Sequence, residues 1–493
     1  MQRLSGLDAS FLYFETPANH MQVSAIMIFD PSTVPEGYSF DHVKATVASR
    51  LHLVPPFRRR LIPVPFNLHH PVWIEDPDFD LDFHLRRIAS PAPGGPRELA
   101  DIAGDIAGRQ LDRNKPLWEI WVVEGLQNGY IATVSKMHHC TIDGVSGANI
   151  LVHLLDLAPD PAETASPPPE WKPEHKPSDL ELVGHALNSR LRQPAQLAKI
   201  LPDTAGALAK IVLRRREGGP KGGTPLTAPR TSLNAAITAH RRVAFTTVPL
   251  EEVKAIKKAF GTTVNDAVLA ICAGALRRYL DQVGDEVDKP LIVTAPISVR
   301  TDGDDTDAGA NKVSAMFTSL PTHIDDPVER LYAIHESTKG AKEEHNAVGA
   351  TMLQDWAELA APNVFSQAAR LYSRLKLAER HPVIHNLVIS NVPGPPFPLY
   401  FAGAQLTALY PLGPIFDGAG LNITVLSYTD SMGFGFIACR ELMPRLWDLA
   451  TAVGSASAEL AKRATQEARP PRRRAPSASP NLSQPRSRSR PHQ

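Results

Sequence analysis

The sequence predicts a mixed α/β protein, on three observations. Strand-like and helical runs alternate in both halves of the chain. The first half closes on a strand that runs through a histidine pair into a helical pattern. The composition, 43% hydrophobic and 21% charged over 493 residues, is that of a globular protein large enough for more than one core.

Each element follows from its pattern. "MQVSAIMIFD" (21–30) reads as a strand, and 39–62 opens with a helix that stops before Pro55. "PLWEIWVVEGL" (116–126) and "GYIATVSKMHH" (129–139) read as two strands joined at "QNG", a hairpin signal. Residues 143–157 have helical spacing, with Val145, Ile150, Leu151, Leu154 and Leu155 available for one face. Residues 158–180, rich in proline and acid, read as a linker; 181–216 are helical, interrupted near "LPDT" and basic at the end. Residues 217–230 read as a second flexible stretch, rich in glycine and proline. A strand at 241–250 and a helix at 250–261, capped by Gly261, follow. Then come a buried apolar helix at 263–282 and strands at 290–299, 383–392, 420–429 and 433–442, the last two joined at "DSM". A final helix runs to about Arg463. The tail from Arg469 holds seven arginines and no acid, and reads as a disordered, solvated extension. The division this gives is 1–157, 158–235, 236–463 and the tail 464–493.

Lys+Arg and Asp+Glu are both 52, so net charge does not point to nucleic acid. Cys140, Cys272 and Cys439 are odd in number and far apart, which is neither a disulfide framework nor a CxxC site and fits a reducing cytoplasm. The N-terminus lacks a signal-peptide pattern, and no run of about 18 apolar residues predicts a spanning helix. A position on a membrane surface stays open, through the helices of 181–216 or the arginine-rich tail.

The chemistry concentrates in "KMHHCTIDGVSG" (136–147). Successive strand residues point to opposite faces, so His138 and His139 cannot both face one cavity. One is held by packing or hydrogen bonds; the other faces the reactive space. An imidazole titrating near neutral pH is a candidate general base. Asp143 can cap the following helix or hold the turn, and Gly144 permits a tight turn. Alternatively the pair is two satisfied polar residues at a strand end, with Asp143 only a cap. A metal needs three or four convergent ligands, and His139 with Asp143 supply two at best, so no metal is expected. Cys140 is badly placed for activation as a nucleophile by the adjacent His139.

"HHCTIDG" (138–144) fits HHxxxDG, and the sequence thereby resembles the acyl-CoA-dependent acyltransferase superfamily of chloramphenicol acetyltransferase and peptide-synthetase condensation domains. Its companions narrow this. "LSGLDASFLYFETPANHMQVSAIMIF" (4–29), "PLWE" (116–119), "PRTSLN" (229–234), "NDAVLA" (265–270), "PISVR" (296–300), "GANKVSAMFTSLP" (309–321) and "ISNVPGP" (389–395) occur in the order found in the bacterial wax ester synthase/diacylglycerol acyltransferases. The resemblance covers roughly residues 1–463 and looks like the actinobacterial branch. It implies two chloramphenicol-acetyltransferase-like domains, each a mixed sheet backed by helices, with a tunnel between them and a long crossover at 158–235. It implies acyl transfer from long-chain acyl-CoA, a co-substrate with no further cofactor, to diacylglycerol or a fatty alcohol. His139 maps to the base, Asp143 and Gly144 to the turn, and His138 to support or binding.

Asn265 and Asp266 of the ND motif support the site or the CoA channel, or cap a helix, which Asn265 suits. Ser390 and Asn391 either donate to the oxyanion or CoA, or shape the loop before Pro393. Arg300 anchors a phosphate or makes a structural ion pair. Trp118 is expected in the core. Rival readings are an acyltransferase acting on a polyketide or diol alcohol, and a non-catalytic lipid-binding relative. The implied location is cytoplasmic, with a peripheral position at the inner membrane face or lipid droplets open.

Overall fold

The computed structural model describes residues 2–141, 153–160, 174–190, 222–285, 288–298, 313–348 and 361–467, with residues 200, 202, 204, 206, 357 and 358. Two six-stranded mixed sheets dominate it. In chain order the strands are β1 (Gln2–Arg3), β2 (Gln22–Asp30), β3 (Arg59–Ile62), β4 (Val72–Glu75), β5 (Leu85–Ala89), β6 (Trp118–Glu124), β7 (Ile131–His138), β8 (Arg241–Pro249), β9 (Leu291–Ser298), β10 (Val313–Leu320), β11 (Leu387–Val392), β12 (Tyr400–Phe401), β13 (Ala404–Leu412), β14 (Leu421–Tyr428) and β15 (Ser431–Cys439). The first sheet has the order β12-β13-β2-β7-β6-β5, the second β10-β9-β11-β14-β15-β8, and β1-β4-β3 form a small third sheet. Pairing is antiparallel except at β5–β6, β9–β11 and β11–β14.

The sequence division and the sheets do not coincide. Strands β12 and β13 come from the second half of the chain and complete the first sheet, β13 pairing along β2 from Gln405 opposite Asp30 to Leu412 opposite Ser24. The helical pattern at 143–157 lies outside the described residues up to position 152; beyond it, Asp156 pairs with Tyr400 at the edge of the sheet and binds Arg50 through a buried ion pair of 2.7 Å.

The second sheet is backed by the helices Leu250–Phe260, Val264–Val283 and Leu446–Glu467, which share its largest core. Gly261 ends the first of these in the left-handed region (φ 64°), as its position predicts. The next helix is capped by Thr263 and not by Asn265: Thr263 is extended, its hydroxyl accepts from the Asp266 N–H, and the Asp266 carboxylate accepts from the Thr263 N–H.

"GFGF" (433–436) on β15 shows how the sheets meet. With a period of two, Phe434 and Phe436 enter the helical core while Gly433 and Gly435 face the other way, toward β13. A Cβ on Gly433 would stand 2.1 Å from the Leu409 carbonyl oxygen, and one on Gly435 1.9 Å from that of Pro411. The helix Pro96–Ala107 fills the rest of the space, with Leu99, Ala103 and Ile106 packed among Val243, Phe245 and Ile437 of the second sheet.

The stretch expected to be flexible at 217–230 is, from Gly222 on, laid against the second sheet. Gly223 N–H donates to the Phe317 carbonyl (2.9 Å), and Ala228 pairs with Val383. A Cβ would meet Ala341 or Thr318 at under 3 Å, so the glycines here serve close approach rather than mobility. No single described helix is long and apolar enough to cross a membrane.

Gly435→Val is expected to lower unfolding free energy by about 2 kcal/mol or more, because neither backbone can retreat from the added atoms. Urea denaturation read by far-UV circular dichroism checks this; Ser455→Val, on the helix Leu446–Glu467, is the surface control.

Candidate active site

Strand β7 ends at His138, so His139 is the first residue of the turn. The backbone pins both: His138 N–H donates to Leu117 (3.0 Å), His139 N–H to Met21 (2.8 Å) and Thr141 N–H to His138 (2.9 Å). The two rings have different partners: His138 faces Glu15, and His139 stacks on Phe11.

His138 is buried, 1% exposed. Its Nδ1 accepts from the Cys140 backbone N–H at 3.1 Å. That contact places the neutral ring's proton on Nε2. Nε2 stands 3.8 Å from Glu15 Oε2, an ion-pair separation longer than a hydrogen bond. Glu15 is itself buried and receives the Arg113 guanidinium (Nε to Oε2, 3.0 Å). Burial opposes ionisation of Glu15, but the His138 ring and the Arg113 charge outweigh it and hold the carboxyl down at about 2. On the same face of β7, Lys136 is fully buried and donates to the carbonyls of Ile106 (3.2 Å) and Arg109 (3.1 Å), with Glu119 at 3.3 Å. A polar ridge thus runs beneath the histidines, inside the protein.

His139 is half-buried, its ring stacked on Phe11 with centroids 4.2 Å apart and planes 16° from parallel. Phe11 belongs to the helix Gly6–Phe14, capped by Ser5. Glu15 follows directly, so one short segment fixes both rings: Phe11 sets the plane of His139, and Glu15 faces His138. Beside the motif a cavity of about 250 Å³ is lined by Ser5, Asp8, Arg59, Trp73 and Thr141. Cys140 is buried, and burial pushes its thiol well up, so it is inert as a nucleophile.

Other residues singled out by sequence fall elsewhere. Asp143, Gly144 and Arg300 lie outside the described residues. Asp266 is buried among helices, accepting from Thr338 Oγ1 (2.7 Å) and His335 Nδ1 (2.8 Å) besides its capping bond. Burial opposes its ionisation, and these bonds win, lowering the carboxyl below its usual range. It therefore ties the helix Val264–Val283 to the helix Pro327–Val348. Asn265 is half-buried in the first turn beside it. Ser390 shares a face of β11 with Val392, which packs in the core of the first sheet; Asn391 shares the opposite face with Ile389, in the helical core. After them, Gly394 N–H donates to Ser427 Oγ (3.1 Å), and a Cβ there would meet the Ser427 carbonyl at 2.0 Å, so this loop is shaped by contact with β14. Trp118 is fully buried, donating to the Phe57 carbonyl (2.8 Å). Among the described residues no group of three or more His, Cys, Asp and Glu side chains could hold a metal. Sequence reasoning missed Phe11, Glu15 and Arg113; the acid in "YFETP", set in an apolar run, was the available signal.

Residues 4–268 match the model of the wax ester synthase/diacylglycerol acyltransferase catalytic domain, and residues 309–461 that of the C-terminal domain of the same family. The chain belongs to that family. A Mycobacterium tuberculosis (strain H37Rv) protein bearing the provisional name diacylglycerol O-acyltransferase is 40% identical over 461 residues, 93% of this chain and 90% of its own. Among solved structures, the wax ester synthase/diacylglycerol acyltransferase from Marinobacter aquaeolei VT8 is 31% identical, with a TM-score of 0.66 over 94% of this chain and all of that one. The first condensation domain of the calcium-dependent antibiotic synthetase shares the fold at 14% identity, with a TM-score of 0.54 over 95% of this chain and 97% of its own. The architecture is thus the chloramphenicol-acetyltransferase-like one of the wax ester synthase/diacylglycerol acyltransferases, acyltransferases as a family.

The depressed Glu15 carboxyl makes part of the stability pH-dependent. Its contribution is fully present above its ordinary value of 4.5 and is lost as pH falls through about 2. Such a shift is worth about 3 kcal/mol. Urea midpoints measured between pH 5 and pH 3 are expected to fall more steeply in the native protein than in Glu15→Gln. Equal slopes would contradict the pairing.

Proposed function

We propose that this chain transfers a long-chain acyl group from acyl-CoA to the hydroxyl of a diacylglycerol or a fatty alcohol, with His139 as general base. His139 takes the hydroxyl proton as the oxygen attacks the thioester carbonyl. The tetrahedral intermediate collapses, the carbon–sulfur bond breaks, and the CoA thiolate recovers the proton from His139. Ester and CoA leave, and the imidazole is neutral again. Both substrates are bound together and no acyl-enzyme forms, in keeping with a Cys140 thiol that burial keeps protonated. Substrates this insoluble give the enzyme reason to work at a lipid surface.

The observation that carries this reading is the setting of His139: a half-buried imidazole, its plane fixed by Phe11, on a chain of this family. His138 is assigned a positioning role, its tautomer set by the Cys140 amide and its outer nitrogen turned to Glu15. Asp143 and Gly144 are assigned to the turn, and Ser390 to the wall facing the first sheet. Asp266 and Asn265 are assigned to helix packing.

The test is CoA release from palmitoyl-CoA with diolein or hexadecanol as acceptor. His139→Ala is expected to reduce the rate roughly 10²–10⁴-fold with the fold intact by circular dichroism. A variant that kept full activity would remove the assignment.

A further inference from the structure

The helix Pro362–Arg374 is built with its apolar side outward. Val364, Ala368 and Leu371, with Leu375 at its end, recur at the spacing of one helical face. All four are exposed, Val364 by 69% and Leu371 by 55%. The inward face is Phe365, Ser366, Ala369, Tyr372 and Ser373, half-buried and mostly small. A helix of a soluble protein normally presents the reverse arrangement.

Two further features gather on this face. Arg370, Arg374, Lys376 and Arg380 are exposed along its flank and the turn beyond, against one carboxylate, Glu379. At the other end stands Phe66, 84% exposed and held at φ 57°, a conformation that costs energy for any residue but glycine. Phe66 is bolted to the helix: its carbonyl accepts from Asn363 Nδ2 (2.9 Å), and Asn67 Nδ2 donates to Asn363 Oδ1 (3.0 Å). A strained backbone that holds an aromatic ring out in water, an outward apolar stripe and a cationic flank share one surface.

We infer that this surface docks the enzyme on an anionic lipid bilayer or monolayer. The apolar stripe and Phe66 enter the acyl–headgroup boundary, and the four cations meet the lipid charge. Charge complementarity selects lipid as the occupant over a second copy, which would bring the same cations together. The inference rests on the proposed use of lipid substrates, and it places them close to the chemistry. Phe365 on the inward side packs edge-on to Phe14 (4.8 Å), and Phe14 ends the helix that carries Phe11 beneath His139. One helix therefore separates the lipid surface from the base.

The test is cosedimentation of the full chain with vesicles of phosphatidylcholine, with and without phosphatidylglycerol. Binding is expected to the anionic vesicles and to weaken with salt. Val364→Asp/Leu371→Asp is expected to abolish it, and Arg370→Gln/Arg374→Gln to weaken it roughly fivefold per charge. All these variants should keep CoA release when the acceptor is dispersed in detergent. On the native protein, vesicles should protect the amides of 362–375 from hydrogen exchange. Failure of the native protein to bind, or equal binding by Val364→Asp/Leu371→Asp, overturns the proposal. So does a change from dimer to monomer in that variant without a change in vesicle binding, which would give the face to a second copy. His139→Ala should bind vesicles as the native protein does. Vesicle binding by a native protein that transfers no acyl group would refute the catalytic reading and leave this one standing.

Discussion

The carbonyl oxygens of Leu409 and Pro411 rest where the Cβ atoms of Gly433 and Gly435 would be, and the relation of the two sheets depends on that contact. Strand β13 spends its hydrogen bonds in the first sheet and its van der Waals surface on the second. It is therefore a shared wall, made possible by two side chains that are missing. The alternate residues of β15, Phe434 and Phe436, are among the largest fully buried groups of the described residues. One four-residue run thus anchors the helical core behind β15 and clears the space in front of it.

The site follows the same logic at smaller scale. The histidine pair divides its work, each ring having a partner of its own. One ring is given to the interior, where buried Glu15 is met by Arg113 reaching in from the surface and buried Lys136 by Glu119, charges that would be unfavourable there if unmatched. The other ring is left half open and held by a hydrocarbon face. The stack on Phe11 sets the plane in which that imidazole lies.

Much of this could be read from the chain. Strand alternation gave β2, β6, β7, β8, β14 and β15 close to their observed bounds, because each is long and buries at least one face. The motif singled out the histidine pair, and the structure gives its two rings different partners. What could not be read was long-range. Glu15 meets Arg113, 98 residues later, and nothing local in "YFETP" announces that partner. Strand β13 looks like any strand of the second half until its pairing with β2 is seen. Asn265 has the composition of a cap, but Thr263 two residues earlier has the extended backbone a cap needs. Periodicity can announce that 362–375 has an apolar face; only packing says that the face is outside. That is why sequence pointed to 181–216 and the tail for membrane contact instead.

The hydrogen bond that sets the His138 tautomer comes from the amide of Cys140, and not from a side chain. A side-chain donor is one codon change from loss. A main-chain donor survives every substitution at its position except proline, and it stays aimed as long as the chain keeps its path. The proton's place on His138 is in that sense a heritable property of the backbone trace, insulated from most of the mutational traffic that reshapes the pockets around it.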